Sequence, residues 1–228
     1  DKQIIAGERY DGNIYAYTSD LQFIKIDEGS KEYDVIGEVK DKIADMAFDY
    51  SRGIMFGLTY LGQKLVEIDL STGNWYEVGA MTDGEGAQVK VNSIACDERG
   101  TLYGITSDGK FYAIDETGKA TLISETMLSS SLNYESDLTY DPDTAMLYWS
   151  QISRTEQRIY IINPRTGATI GMYPIGEEGA EVSLLYADSK TALTPPEAVP
   201  VDAIVLSNTT AQISKGSTLA LTATVLPV

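Results

Sequence analysis

The sequence predicts an all-β fold in which four-stranded antiparallel units repeat around an axis as the blades of a β-propeller. Two landmarks recur along the chain with a period in the mid-forties, and short apolar and aromatic runs alternate with Gly and Asp turns. Runs of four to seven residues between such turns indicate strands rather than helices. Four-stranded units with a period of about 40 to 50 residues are typical of propellers.

The first landmark is an aromatic residue in the second strand of each unit. Its four copies, which are 41, 47 and 45 residues apart, are Tyr15, Phe56, Tyr103 and Tyr148. The second landmark is an alternating run at the third strand, and its copies end at Asp27, Asp69, Asp115 and Asn163. Because two independent landmarks keep the same spacing, we interpret the chain as four copies of one unit.

The remaining strands complete each unit. A first strand precedes the later aromatic landmarks (44–49, 92–97 and 136–141), and a fourth strand follows a turn that often contains Thr-Gly. Asp residues at the ends of strands recur from unit to unit, so we interpret them as turn caps that bond their own backbone. Trp149 breaks the pattern, because the other units have Ala16, Gly57 and Gly104 there.

The two ends of the repeat region predict how the ring closes. Residues 3–40 supply second, third and fourth strands without a clear first strand, whereas 181–190 is an isolated first strand. An unpaired sheet edge is a liability, so we expect strands from both chain ends to complete one blade. This predicts a four-bladed ring. The alternative is a ring of six to eight blades of which this chain holds a part.

The composition changes after the repeats and predicts three domains or segments. Residues 1–190 form the propeller, 191–200 form a Pro/Ala-rich linker, and 201–228 contain two strand-like runs separated by a Lys-Gly turn.

Two family resemblances follow from these motifs. Phrases of the form D-x-x-x-G-x-L-Y and Y-x-I-D-x-x-T-G, over roughly residues 3–190, resemble bacterial propellers of the YVTN/NHL-like superfamily. The tail resembles the first third of a bacterial Ig-like domain of group 2, on Ile204, Leu206, Ile213, Gly216, Leu219, Leu221 and Val225-Leu226-Pro227. The second resemblance implies a bacterial protein that is secreted or displayed on the cell surface, because such Ig-like repeats build extracellular stalks.

Composition excludes several classes of function. The net charge is −17, from 17 basic and 34 acidic residues, so the surface repels nucleic-acid phosphates. No apolar run approaches the roughly 18 residues of a membrane span, so we expect no membrane insertion. The chain has no histidine and one cysteine, which removes the commonest general base, thiolate metal cages and internal disulfides.

Candidate ligand-binding residues lie in the long loops that propeller geometry brings to one face. These loops are the connectors between blades and the hairpins between second and third strands, and long loops on a rigid scaffold often bind ligands. The candidates are Asp83, Glu85, Asn133, Tyr134, Arg154, Arg158, Glu177 and Glu178. The alternative is that these loops are only solvated connections.

A second candidate site lies on the axis, where the first strands meet. Their leading residues are polar: Asp45, Asn92, Ser93, Ser136, Asp137 and Ser183. Oxygen ligands suit Ca²⁺ or another hard cation, so we expect a cation held by Asp45, Asp137, Asn92 and Ser93. Water alone could satisfy the same groups.

Together these observations predict a monomeric, non-enzymatic binding or adhesion module with a glycan or protein ligand on the loop-rich face. One alternative is a propeller lyase or hydrolase that uses carboxylates, such as Glu135 with Asp83 or Glu178. A purely structural spacer is the other alternative.

Overall fold

A computed structural model describes residues 3–60, 64–125, 136–152, 157–175, 182–188, 201–206 and 223–227. All regular elements in these ranges are β-strands. They form four four-stranded antiparallel sheets, which are the blades, and one separate pair of strands. None of these elements is a helix of the length and apolarity that crossing a membrane requires.

The strands of each blade follow one another in chain order. Blade 1 contains β1 (Ile4–Tyr10), β2 (Asn13–Thr18), β3 (Gln22–Asp27) and β4 (Tyr33–Glu38). Blade 2 contains β5 (Ile43–Asp49), β6 (Ile54–Thr59), β7 (Lys64–Ile68) and β8 (Trp75–Ala80). Blade 3 contains β9 (Val91–Cys96), β10 (Leu102–Thr106), β11 (Phe111–Ile114) and β12 (Ala120–Ser124). Blade 4 contains β13 (Asp137–Asp141), β14 (Met146–Ile152), β15 (Gln157–Ile162) and β16 (Thr169–Pro174). The predicted all-β propeller with four antiparallel blades is confirmed.

Blade 1 has its own first strand, and the expectation that residues 3–40 lack one was wrong. Strand β1 pairs with β2 from Ile4 opposite Thr18 to Tyr10 opposite Asn13. The chain reverses at Asp11-Gly12, where both residues have positive φ (51° and 69°), as tight hairpin turns require. The polar Gly7-Glu8-Arg9 stretch interrupts the apolar run, which is why the strand could not be recognised from the sequence pattern.

Residues 182–188, which we call the closing segment, contact the inner strands of both blade 4 and blade 1. The backbone N–H of Leu185 donates to Oδ2 of Asp137 in β13. Leu184 occupies the space in which a side chain at Gly7 of β1 would lie. The segment that was predicted to supply a strand to blade 1 is outside that sheet and lies against blades 4 and 1.

Three apolar clusters hold consecutive blades together, and each draws buried side chains from two neighbouring blades. Between blades 1 and 2, the ring of Tyr10 stacks on Phe48 with centroids 4.0 Å apart. Phe56 lies in the cluster between blades 2 and 3, and Tyr103 in the one between blades 3 and 4. Packing between blades is therefore the role of these two aromatic landmarks.

The Thr-Gly turns also connect blades. At Gly73 in blade 2, φ is +74°, and a Cβ would lie 2.5 Å from Cβ of Phe23 in blade 1. The carbonyl oxygen of Gly73 accepts a 2.8 Å hydrogen bond from the hydroxyl of Tyr17. Glycine is therefore required both by the turn and by the approach of blade 1.

The recurrent Asp residues cap turns, as predicted. Oδ1 of Asp69 accepts from the N–H of Ser71 at 2.8 Å, and Oδ1 of Asp115 accepts from Thr117 at 2.9 Å. The hydroxyls of Ser71 and Thr117 donate to the same oxygens and contribute most to lowering the pKa of the two carboxyls, and the N–H groups add to this effect. Such residues belong to the scaffold rather than to a site.

The chain divides into two compact units, Asp1–Pro195 and Pro196–Val228. In the second unit, β17 (Val201–Leu206) and β18 (Ala223–Pro227) pair antiparallel, with Val201 opposite Pro227 and Leu206 opposite Ala223.

Candidate functional site

The connector between blades 2 and 3 contains two of the predicted ligand residues, Asp83 and Glu85. Oδ1 of Asp83 accepts hydrogen bonds from the N–H groups of Glu85 (2.9 Å) and Ala87 (2.8 Å). The carboxylate of Asp83 therefore stabilises the shape of its own loop, while Glu85 is exposed. A ligand on this loop would meet Glu85 before Asp83.

Arg158, the third predicted residue that the structure describes, lies at the start of β15. It is opposite Gln151 of β14 and Pro174 of β16, and its Nη1 lies 2.9 Å from Sδ of Met172. The other predicted ligand residues lie outside the described residues, and their roles stay predictions: Asn133, Tyr134, Arg154, Glu177 and Glu178.

Blade 4 departs from the other blades at two buried positions of β14. Trp149, 1% exposed, replaces Ala or Gly, and packs between blades 3 and 4 with its ring 5.7 Å from that of Tyr160. Gln151, 2% exposed, stands where the other blades have threonines that accept an N–H from the following hairpin. Those bonds are 3.1, 3.0 and 3.0 Å long, and the accepting residues are Thr18, Thr59 and Thr106.

Two polar atoms at these positions have no hydrogen-bond partner. Among the described residues, the buried atoms in this state are Nε1 of Trp149, Oε1 of Gln151 and one carboxylate oxygen of Glu98. Trp149 and Gln151 are two residues apart on one strand, so their side chains lie on the same face of the blade. Arg158, directly opposite Gln151, shares that face. We call Trp149, Gln151, Arg158 and Tyr160 the blade 4 cluster; it offers an unused donor and an unused acceptor beside a cation.

The axis contains the second predicted site, and there Asp45 and Asp137 meet. They are 1% and 3% exposed, and their carboxyl groups hydrogen-bond to each other. Burial raises the pKa of both carboxyls, so the pair retains a shared proton well above the ordinary range of aspartate. Both oxygens of Asp45 are also occupied by backbone N–H groups, of Met46 at 2.8 Å and of Ile94 at 2.7 Å.

Glu8 is a third carboxyl at the axis, and the sequence analysis missed it. Burial, together with the nearby charge of Asp137, raises its pKa to about 8. Its Oε1 accepts from the N–H of Arg9 at 2.7 Å. Glu8 was missed because β1 was missed. The Asp11-Gly12 turn, which matches the Asp-terminated turns after the other first strands, was the signal that could have located it.

The other predicted cation ligands have separate partners. The hydroxyl of Ser93 donates to the carbonyl oxygen of Ser136 at 2.8 Å, which links blade 3 to blade 4. Asn92 is half-buried at the start of β9. Within the described ranges, no three Asp, Glu, Cys or His side chains are arranged to hold a metal ion. The cation stays a prediction.

Comparison with known proteins finds relatives in structure alone. No family model and no curated protein matches this chain. One similar solved structure is a protein of unknown function from Bacteroides thetaiotaomicron, with 18% identity and a TM-score of 0.53 over 73% of this chain and 42% of that one. A second is a nidogen/laminin complex, with 16% identity and a TM-score of 0.52 over 73% of this chain and 62% of that one. A third is an auxiliary nutrient binding protein from B. thetaiotaomicron, with 12% identity and a TM-score of 0.52 over 78% of this chain and 43% of that one.

These structural neighbours are β-propeller proteins. At such low identities the likeness shows the fold alone. The chain also spans less than two thirds of each neighbour's length. The Ig-like resemblance of the tail receives no support from these comparisons.

Proposed function

We propose that this chain is a non-enzymatic binding module of a secreted or cell-surface bacterial protein, with a glycan or protein ligand on the loop-rich face. The observation that carries this proposal is the pair of unpartnered buried atoms, Nε1 of Trp149 and Oε1 of Gln151. The neighbours named as a nutrient binding protein and as part of a nidogen/laminin complex support a binding role.

Blade 4 carries an energetic cost at this position that the other three blades avoid. A buried polar group without a partner costs about 1–3 kcal/mol. Three blades avoid this cost with a threonine whose hydroxyl is satisfied, whereas blade 4 has Gln151. A ligand hydroxyl or amide can accept from the Trp149 indole and donate to the Gln151 carbonyl, which offsets the cost on binding.

Arg158 adds a cation on the same face of blade 4. A guanidinium presents several donors in a fixed plane, which suits carboxylates and vicinal hydroxyls. Tyr134 and the other loop residues predicted from the sequence would extend this surface.

The enzymatic alternative would need carboxylates that a substrate can reach. Of the carboxylates named for it, Asp83 lies in the described part of the chain, and its Oδ1 accepts two N–H groups of its own loop. We favour binding over a carboxylate-based lyase or hydrolase.

Glycan and protein arrays probed with the purified chain test the proposal. We expect a hit whose signal falls at least tenfold in Arg158→Ala, in Tyr134→Ala and in Gln151→Thr, which restores the residue of the other blades. Arg99→Ala is the matched control, because this arginine is exposed on the turn between β9 and β10, at the opposite face. Equal binding by all four variants, or no hit at all, would contradict the proposal.

A further inference from the structure

The outer hairpin of blade 4, residues 157–174, differs in charge from the rest of the protein. It contains Arg158 and Arg165 and no acidic residue, in a chain with 34 acidic and 17 basic residues. The corresponding hairpins of the other blades, 22–38, 64–80 and 111–124, each contain at least two acidic residues. Blade 4 therefore presents a cationic hairpin on a strongly anionic molecule.

The outer strand of this hairpin, β16, is also apolar and exposed. It is the last strand in the sheet order of blade 4, so within the described residues its outer edge has no neighbouring strand. Three of its six residues have large, apolar and exposed side chains: Ile170 (58%), Met172 (46%) and Tyr173 (60%). Exposed edge strands are normally protected by charged side chains, and β16 has none.

The two arginines lie at opposite ends of β16. Arg158 is opposite Pro174, the last residue of the strand. Arg165 lies in the turn that precedes Thr169, the first residue, and it is exposed. A six-residue strand spans about 20 Å, so an apolar edge of that length has a cation near each end.

We propose that the outer edge of blade 4 docks an extended acidic segment of a partner protein, which adds as a fifth strand beside β16. Strand addition forms main-chain hydrogen bonds along the edge, while alternate apolar side chains of the segment cover Ile170, Met172 and Tyr173. Acidic residues in the segment would meet Arg158 and Arg165. The rest of the surface, at a net charge of −17, repels an acidic partner, so electrostatic complementarity directs the segment to this edge.

Charge also disfavours a second copy of this chain as the occupant. Two molecules that each carry a net charge of −17 repel each other, whereas an acidic segment from another protein brings only local charge. The docking edge shares Arg158 with the proposed ligand site but does not include the buried atoms of Trp149 and Gln151, so it goes beyond that site.

A pair of synthetic peptides tests the proposal by fluorescence anisotropy. One probe is a ten-residue peptide of alternating Val and Glu, and the other replaces every Glu with Lys. We expect the acidic peptide to bind, with an affinity that falls as salt increases, and the basic peptide to bind at least tenfold more weakly. We also expect the peptide to slow hydrogen exchange of β16 amides. Equal binding of both peptides, or protection elsewhere, overturns the proposal.

Two variants and a control locate the site. Arg165→Glu and Ile170→Glu should each weaken binding of the acidic peptide at least tenfold, whereas Tyr76→Glu, on the exposed outer strand β8 of blade 2, should not. Arg165 lies in a turn, so its variant keeps the test valid should Ile170→Glu fail to fold. Gln151→Thr should leave peptide binding unchanged, which separates this edge from the loop-rich face. An equal loss in Tyr76→Glu, or a dimer with β16 protected before peptide is added, overturns the proposal.

Discussion

Asp45 of blade 2 and Asp137 of blade 4 hydrogen-bond to each other through their buried carboxyl groups, although blade 3 separates them in the chain order. Each also accepts an N–H from the next inner segment, Ile94 for Asp45 and Leu185 for Asp137. The pair therefore connects non-adjacent blades directly and anchors the closing segment.

We expect the protein to be more stable in mild acid than in mild alkali. In the unfolded chain, carboxyls titrate near pH 4. Burial raises the pKa of Asp45 and Asp137 in the fold and that of Glu8 to about 8, so the native state binds protons more tightly. The stability that these protons provide is complete below pH about 4 and is lost as the pH rises to about 8. Urea unfolding at pH 5 and pH 8.5 should show a difference of a few kcal/mol.

Asp137→Asn should reduce this pH dependence, because asparagine resembles the protonated carboxyl and cannot ionise. Glu67→Gln, at an exposed position of β7, is the control and should keep the wild-type dependence. The assignment fails when the Asp137 variant and the control show the same difference between the two pH values.

The cation predicted at the axis should bind in competition with the shared proton. Metal binding requires deprotonated carboxylates, so Ca²⁺ should raise the melting temperature more at pH 8.5 than at pH 5. A chelator should reverse the effect, and Asp45→Asn should abolish it. If neither calcium nor chelator changes the melting temperature at pH 8.5, the prediction is wrong.

Gly73→Ala should destabilise the fold more than Gly12→Ala. Both glycines have positive φ, 74° and 69°, so both variants impose backbone strain of about 1–2 kcal/mol. A Cβ at Gly73 would also lie 2.5 Å from Phe23, whereas a Cβ at Gly12 would meet no atom within 4 Å. The contact with blade 1 should therefore add about 1–3 kcal/mol. Urea denaturation of both variants measures the free energy of unfolding that the contact with Phe23 costs. Equal losses of this free energy would show that blade 1 adjusts to the added Cβ at no cost.

The sequence could predict the repeat because every blade needs the same contacts. Residues such as Asp69 and Asp115 cap equivalent turns, and Phe56 and Tyr103 pack between equivalent blades, so one physical requirement leaves several copies in the chain. Strand β1 was not recognised because two charged residues interrupt its apolar pattern. Arg9 occupies a position that is Phe48, Cys96 and Tyr140 in the other first strands, and Glu8 precedes it.

The two sites were predictable to different degrees. Asp45 and Asp137 could be placed at the axis because first strands line it, but the contact between them depends on how closely the blades approach. The unpartnered state of the Gln151 amide could not be predicted from the sequence, because it depends on the atoms that surround the side chain in the fold. The signal was the replacement of a threonine that recurs in the other three blades.

A substitution at Gln151 distinguishes a residue that is retained for ligand binding from a buried amide without a function. Gln151→Met has nearly the same shape and removes the buried amide, so we expect it to stabilise the protein by about 1 kcal/mol or more. Gln22→Met, on the third strand of blade 1, is the control and should bring no such gain. A residue retained for ligand binding at the expense of stability should lose binding when stability is gained. Array binding and urea unfolding of the same preparation measure both quantities. A variant that is more stable and binds the array hit as well as the wild type would remove Gln151 from the site.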